Sequence, residues 1–334
     1  MSNIILRNIR KYHNKLHSMK TVKIGKTPIT YSSINAFVRS SKNANDTMNK
    51  TREAIVDGII NKKIPDEYFN RSRRWNLLCK AVESFVWDIF PCVDLNTQHV
   101  TCYQRGGRKY NYDFDFILKE GTEILETVHI ELKFNAGNVD DTPQFASPMK
   151  PSQYMSKSFE EYHYTKVLPK ITAVCVETHE IKMPNESEYM KQIHSNKPKC
   201  MAAHQKLYYE GCKGSSKFTH DSKAIAFYEA ALEKSKAGIY DFIQETDLNH
   251  EKLTSYLMES QKGKIYMLYS NSKFVKQQID VRDYIIVNVI KNPDKSRYEC
   301  LTETGIKLNV LLRWKNGNGI AFPAFQIKSH RRSL

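Results

Sequence analysis

Two short runs hold the residues best suited to chemistry: Tyr112-Asp113-Phe114-Asp115-Phe116-Ile117-Leu118 and Val128-His129-Ile130-Glu131-Leu132-Lys133-Phe134. Side chains alternate faces along a strand. In both runs the even positions are aromatic or aliphatic. The odd positions share the other face: Asp113 and Asp115 on the first run, His129, Glu131 and Lys133 on the second. Two or three carboxylates on one face can hold a hard divalent cation and leave coordination places for water and a phosphate oxygen. A lysine two residues from a ligand, on the same face, can orient the attacking water and stabilise the added charge of the transition state. The chemistry expected of such a face is hydrolysis of a phosphodiester.

The elements that position these groups must be paired strands with their apolar faces together. A one-residue slip would turn one apolar set the wrong way, so paired residue numbers must sum to an even value. Parity gives a common face but not a distance. A three-residue loop, Lys119-Glu120-Gly121, would set Asp115 opposite Leu125, about 20 Å along the strand from Glu131. Two ligands of one ion lie within about 4–5 Å of each other. The metal reading therefore predicts a wider loop, about residues 120–126, with Asp115 opposite Glu131, or a bulge or strong coiling that supplies part of the shift.

Asp115, fifteen intervening residues and then Glu131-Leu132-Lys133 resemble the Asp…(D/E)xK pattern of the PD-(D/E)xK nuclease superfamily, the restriction-endonuclease-like fold. The resemblance covers roughly residues 73–135. It implies an α/β protein with a mixed central β-sheet flanked by helices, dependence on Mg²⁺ (with Mn²⁺ as a substitute) and cleavage of double-stranded DNA. Carried onto this chain, it makes Asp115 and Glu131 metal ligands and Lys133 the residue that serves the water. Glu83, on a helix ahead of the strands, becomes an auxiliary acid. Phe114 stands where the pattern often has Pro, which leaves Asp113 as the other candidate ligand. Asp115 is preferred because apolar Phe116-Ile117-Leu118 follows it. Two further acid-x-Lys triplets, Glu180-Ile181-Lys182 and Asp221-Ser222-Lys223, lack an alternating strand with an upstream Asp.

The rest of the chain supplies a scaffold and a charge. Trp75, Leu78, Val82, Phe85 and Ile89 step by three and four, which predicts a helix over 73–90 stopped by Pro91. Helices are also expected at 51–60, 152–166, 221–246 and 250–260. Strands are expected at 98–104, 110–118, 127–134, 171–177 and 263–269. The end of the chain reads as β-rich, at 283–290, 297–302, 307–314 and 319–327. Three regions follow: a basic, partly helical segment 1–70, a nuclease core with a helical insertion at 71–270, and a β-rich part at 271–334 that would recognise DNA.

The 334 residues include 51 Lys+Arg and 36 Asp+Glu, a net charge of +15. Residues 1–110 hold 20 and 8 of these, a net of +12. That balance argues against an acidic ion-buffering protein and for a polyanion partner. Arg71, Arg73 and Arg74 before the helix, Arg105, Arg108 and Lys109 at a turn, and Arg313 and Lys315 beside the turn Asn316-Gly317-Asn318-Gly319 are the expected DNA contacts. The seven Cys are scattered with no CxxC pair, no run of 18 apolar residues occurs, and the first residues do not read as a signal peptide. The expectation is an intracellular protein, in cytoplasm or nucleus, with no membrane span. The function expected is a restriction-enzyme-like endonuclease, of a class that commonly acts as a homodimer. The alternatives are a non-catalytic nucleic-acid-binding protein and a repair or recombination nuclease acting on DNA ends or flaps.

Overall fold

Trp75, Leu78, Val82, Phe85 and Ile89 form the buried face of a helix over Arg73–Ile89 in the computed structural model, as their spacing predicts. Ser72 caps its first turn by accepting from the Trp75 amide. The structure describes residues 20–38, 42–94, 96–106, 110–144, 150–179, 181–195, 198–314 and 323–330. It divides into two units, Met1–Thr142 with Lys262–Ile279, and Pro143–Gln261 with Asp280–Leu334. The expected boundaries at 70 and 270 therefore shift. The described part of the N-terminal segment joins the sheet that carries the site, and the helical insertion groups with the C-terminal strands.

The first unit begins with a hairpin of β1 (Val22–Ile24) and β2 (Thr27–Ile29). Three helices follow: α1 (Lys42–Ile60), α2 (Asp66–Arg71) and α3 (Arg73–Ile89). Gly58 lets α1 approach this hairpin, since a Cβ there would lie 2.2 Å from Ile24 Cδ1. The mixed sheet has the order β3 (Gln98–Gln104), β4 (Phe114–Glu120), β5 (Glu123–Phe134), β6 (Lys264–Ser270), β7 (Lys273–Gln278). All neighbours are antiparallel except β5 and β6. A parallel pair needs a long crossover, and residues 135–263 supply it. The core gathers the even-numbered Phe114, Phe116, Leu118, Val128 and Ile130 against α1 and α3, so the alternation assigned the faces correctly.

The β4–β5 connection departs from both expected loops. Glu120 pairs with Glu123 across the two-residue turn Gly121-Thr122, with Gly121 at φ +57. Such a turn gives an odd sum, the wrong parity. A bulge corrects it: Lys119 pairs with Ile124 but Leu118 pairs with Glu126, so Leu125 is the extra residue. Beyond the bulge the sums are even, and the apolar faces coincide.

The second unit holds α4 (Phe159–Tyr162), α5 (Leu168–His179), α6 (Glu186–Gln192), α7 (Ala202–Gly211), α8 (Ser222–Glu245) and α9 (His250–Gln261). Its four-stranded antiparallel meander is β8 (Ile286–Asn292), β9 (Arg297–Thr302), β10 (Lys307–Trp314) and β11 (Pro323–His330). The strand expected at 171–177 is helix instead. Val167, Leu168 and Ile171 are buried on one side of it in a helical cluster with Phe227, and a short apolar run does not separate strand from helix. Asp221 of the triplet Asp221-Ser222-Lys223 is the N-cap of α8, accepting from the Lys223 and Ala224 amides. No helix among the described residues is long and apolar enough to cross a membrane.

Candidate active site

The register set by the bulge decides which aspartate meets Glu131. Phe114 pairs with Ile130 and Asp115 with His129. The Asp113 amide donates to Ile130 O at 2.9 Å, and its carboxylate Oδ2 accepts from the Leu132 amide at 2.9 Å. Asp113 is thus level with Glu131. The expected pairing of Asp115 with Glu131 does not form, because the tight turn and its bulge set a register two residues away from the one it requires.

Asp115 has its own partners. Its Oδ2 accepts from Arg105 Nε at 2.5 Å and its Oδ1 lies 2.8 Å from His129 Nδ1. The His129 ring stacks on Tyr112, with centroids 4.3 Å apart. Burial and the Asp115 charge push the Tyr112 phenol up to about 12. The side chain of Asp115 is 7% exposed and its charge is matched by a guanidinium.

Around Asp113 the balance is different. Glu131 Oε1 accepts from Lys133 Nζ at 2.6 Å, and Lys264 Nζ lies 3.8 Å from Glu131 Oε2. Lys264 is buried on β6 and also donates to Asn111 O at 2.6 Å. From α1 comes Glu53, a buried acid paired with Lys50 at 2.5 Å. Desolvation, then the Glu131 and Glu53 charges, push the Asp113 carboxyl up to about 8, against the pull of Lys133 and the Leu132 amide. Burial and Glu131 likewise raise Glu53, against Lys50. Burial pulls the Lys133 ammonium down, but Glu131 and Asp113 outweigh it and the group ends above its usual value. For Lys264 burial wins and the shift is downward. Gly106, at φ +70, passes beside this cluster; a Cβ there would lie 3.4 Å from Lys50 Nζ and 3.8 Å from Asp113 Oδ1.

The other expected site residues scatter. Glu83 is exposed on α3 and accepts from Cys79 Sγ at 3.4 Å, and it is not among the groups that shift Asp113. The acid that a helix does supply is Glu53 of α1. Arg71 pairs with Glu67 at 2.6 Å, Arg73 is exposed, and Arg74 donates to Asn35 Oδ1 and Ile34 O. Arg105 is committed to Asp115. Arg313 bonds Gln326 across β10 and β11. Arg108, Lys109 and Lys315, with the turn 316–319, lie outside the described residues.

Sequence reasoning missed Glu53, Lys50 and Lys264. A signal existed for the first: Arg52, Glu53 and Asp57 interrupt an otherwise apolar helical run, and buried charges need partners. Arg52 finds Ala36 O at 2.6 Å and the Phe134 ring, while Asp57 accepts from Asn61 and Gln104. Lys264 reaches Glu131 only through the parallel pairing across the long crossover.

No protein-family model matches the chain. No curated protein and no solved structure matches it either. The site's chemistry therefore stands on its geometry. Among the described residues no three His, Cys, Asp or Glu side chains are arranged as a metal-holding group. The donors at Asp113, Glu131 and Glu53 are nevertheless all carboxylate oxygens, the chemistry a hard divalent cation takes. Desolvation first, then the Glu131 and Glu53 charges, disfavour the ionised Asp113 carboxyl, and Lys50, Lys133 and Lys264 stand beside the other two acids.

Proposed function

We propose that the chain is a Mg²⁺-dependent endonuclease of double-stranded DNA with a restriction-endonuclease-like core. The observation that carries this reading is the meeting of Asp113, Glu131 and Lys133 at one place on the sheet, with Asp113 pushed up to about 8 by desolvation and then by neighbouring acids. In this reading Asp113 and Glu131 hold the ion. Asp115, the ligand expected from the sequence, is replaced in that role because Arg105 and His129 already match it. When bound, the ion supplies a lower pKa for water and screens the phosphate.

The chain's own groups do the rest. Lys133 stays charged through Glu131 and orients the attacking water towards the phosphorus. Lys264, buried behind Glu131, fixes that carboxylate's direction. Exposed Arg73 and Arg74 at the start of α3 attract the phosphate backbone, a contact that weakens steeply with salt. A homodimer would bring two such sites to two strands.

The test is digestion of a supercoiled circular plasmid with Mg²⁺. Discrete fragments are expected from the wild type, none with EDTA and none from Glu131→Ala. An intact circle beside degraded linear DNA would assign the site to DNA ends instead. DNA binding without cleavage, unchanged in Glu131→Ala, would make the chain a binding protein.

A further inference from the structure

We infer that a cavity at the C-terminal edge of β5 and β6 accepts a single nucleobase turned out of a DNA duplex. The inference rests on the nucleic-acid reading of the carboxylate cluster for its choice of ligand. The cavity measures about 470 Å³, within the range of small-molecule sites. One wall is apolar, formed by Ile34, Phe37, Leu77 and Leu78. Polar groups also line it: Arg74 beside that wall, and Asn135, Tyr269 and Ser272. A base has the matching character: flat apolar faces, and edges lined with donors and acceptors.

Three observations favour this occupant. Leu77 and Val38 stay 43% and 46% exposed at the cavity although both are large and apolar, as expected of surface that a ligand covers. Arg74 is exposed with its guanidinium anchored by Asn35 Oδ1 at 2.9 Å and Ile34 O at 3.2 Å. That leaves further donors on the same fork for the phosphate of an extruded nucleotide. The Tyr269 hydroxyl, bonded to Ser272 and close enough to Arg74 to feel its charge, adds a polar group on the same rim.

The backbone is also unusual here. Of the six non-glycine residues at positive φ among the described residues, Asn135, Asn271 and Ser272 line this one cavity. Asn271-Ser272 is the two-residue turn joining β6 to β7, a turn type that takes this conformation. Asn135 is held so where the chain leaves β5, and such residues gather at ligand clamps. Lys133 and Phe134 face opposite sides of β5, and Phe134 lines the cavity together with Asn135, so a base in the cavity and a phosphate at Lys133 would be joined around the end of the strand.

The test uses the full chain without divalent metal and two short duplexes, one fully paired and one with a single unpaired 2-aminopurine. Fluorescence anisotropy should show the bulged duplex bound at least about tenfold more tightly. Leu77→Ser and Val38→Ser, neutral replacements at exposed positions, should bring the preference below about threefold and leave paired-duplex affinity unchanged. Thermal melting checks that each variant is folded. Equal binding of the two duplexes by the wild type, a preference retained in both variants, or binding of neither duplex would overturn the inference. Cleavage of paired plasmid without any bulge preference removes the inference alone. A bulge preference without cleavage removes the nuclease reading alone.

Discussion

Asp113 and Asp115 lie two residues apart beside the same strand pair, yet their surroundings are opposite. Asp115 sits between Arg105 and His129, and both of its oxygens have a partner. Asp113 has one amide bond and, as neighbours, two acids and Lys133; desolvation first, and then the two acids, push its carboxyl up to about 8. A carboxylate that is buried and matched is a structural element. One that is half-buried, desolvated and beside like charge has its ionised form disfavoured, and such groups gather at functional sites. The contrast separates an ion pair that ties the start of β4 to its neighbours from the cluster proposed as the site.

The largest effect expected from this contrast is at Lys133. Lys133→Ala should lower plasmid cleavage by about a thousandfold or more while DNA affinity changes little. Activity within tenfold of wild type would remove the lysine from the reaction. Next is the pH dependence of stability. Asp113 titrates at about 8 in the folded chain against 3.8 for the free group. The folded state therefore holds the proton more tightly. The destabilisation from ionising Asp113 is absent below about pH 4, grows as pH rises and is complete above about pH 8. Urea denaturation of Asp113→Asn should show a flatter profile over that interval, with a gain over wild type near pH 8 of up to roughly 5 kcal/mol. Saturating Mg²⁺ should flatten the wild-type profile in the same way. Parallel profiles for the two proteins would mean that Asp113 is compensated after all.

Smaller effects fall on the other side of the comparison. Asp115→Asn should cost roughly 1–2 kcal/mol of stability, because it strands a partly exposed Arg105. The loss should show as a lower urea midpoint. Smallest is Glu83→Gln: stability within about 0.5 kcal/mol and cleavage within about twofold of wild type, as for an exposed surface position. A thousandfold loss there would restore Glu83 to the site.

How much of this was legible follows from the range of each signal. Alternation through residues 112–118 and 128–134 assigned the faces, because period two is a local property. The register was not local. It depends on the Gly121-Thr122 turn and on a bulge at Leu125 that nothing in Glu123-Ile124-Leu125-Glu126 announces. Two residues of register decide that Asp113, and not Asp115, lies level with Glu131. The helix of residues 73–89 was plain from its stripe, but the same stripe made Glu83 look important when that residue merely borders it. Glu53 sat in a helix expected at 51–60 and found over Lys42–Ile60, and only the tertiary fold brings it near Asp113. Lys264 follows a crossover of more than a hundred residues that no local pattern predicts. At 171–177 a short apolar run was taken for a strand, and the packing of Val167, Leu168 and Ile171 against α8 decided for helix.

The central claim is that Asp113, and not Asp115, works with Glu131 and Lys133. The most direct measurement is Mg²⁺-dependent cleavage of one supercoiled plasmid by Asp113→Asn and Asp115→Asn side by side, at equal folded concentration. The account predicts a loss of about a thousandfold or more for Asp113→Asn and less than about tenfold for Asp115→Asn. An active Asp113→Asn beside an inactive Asp115→Asn would contradict it.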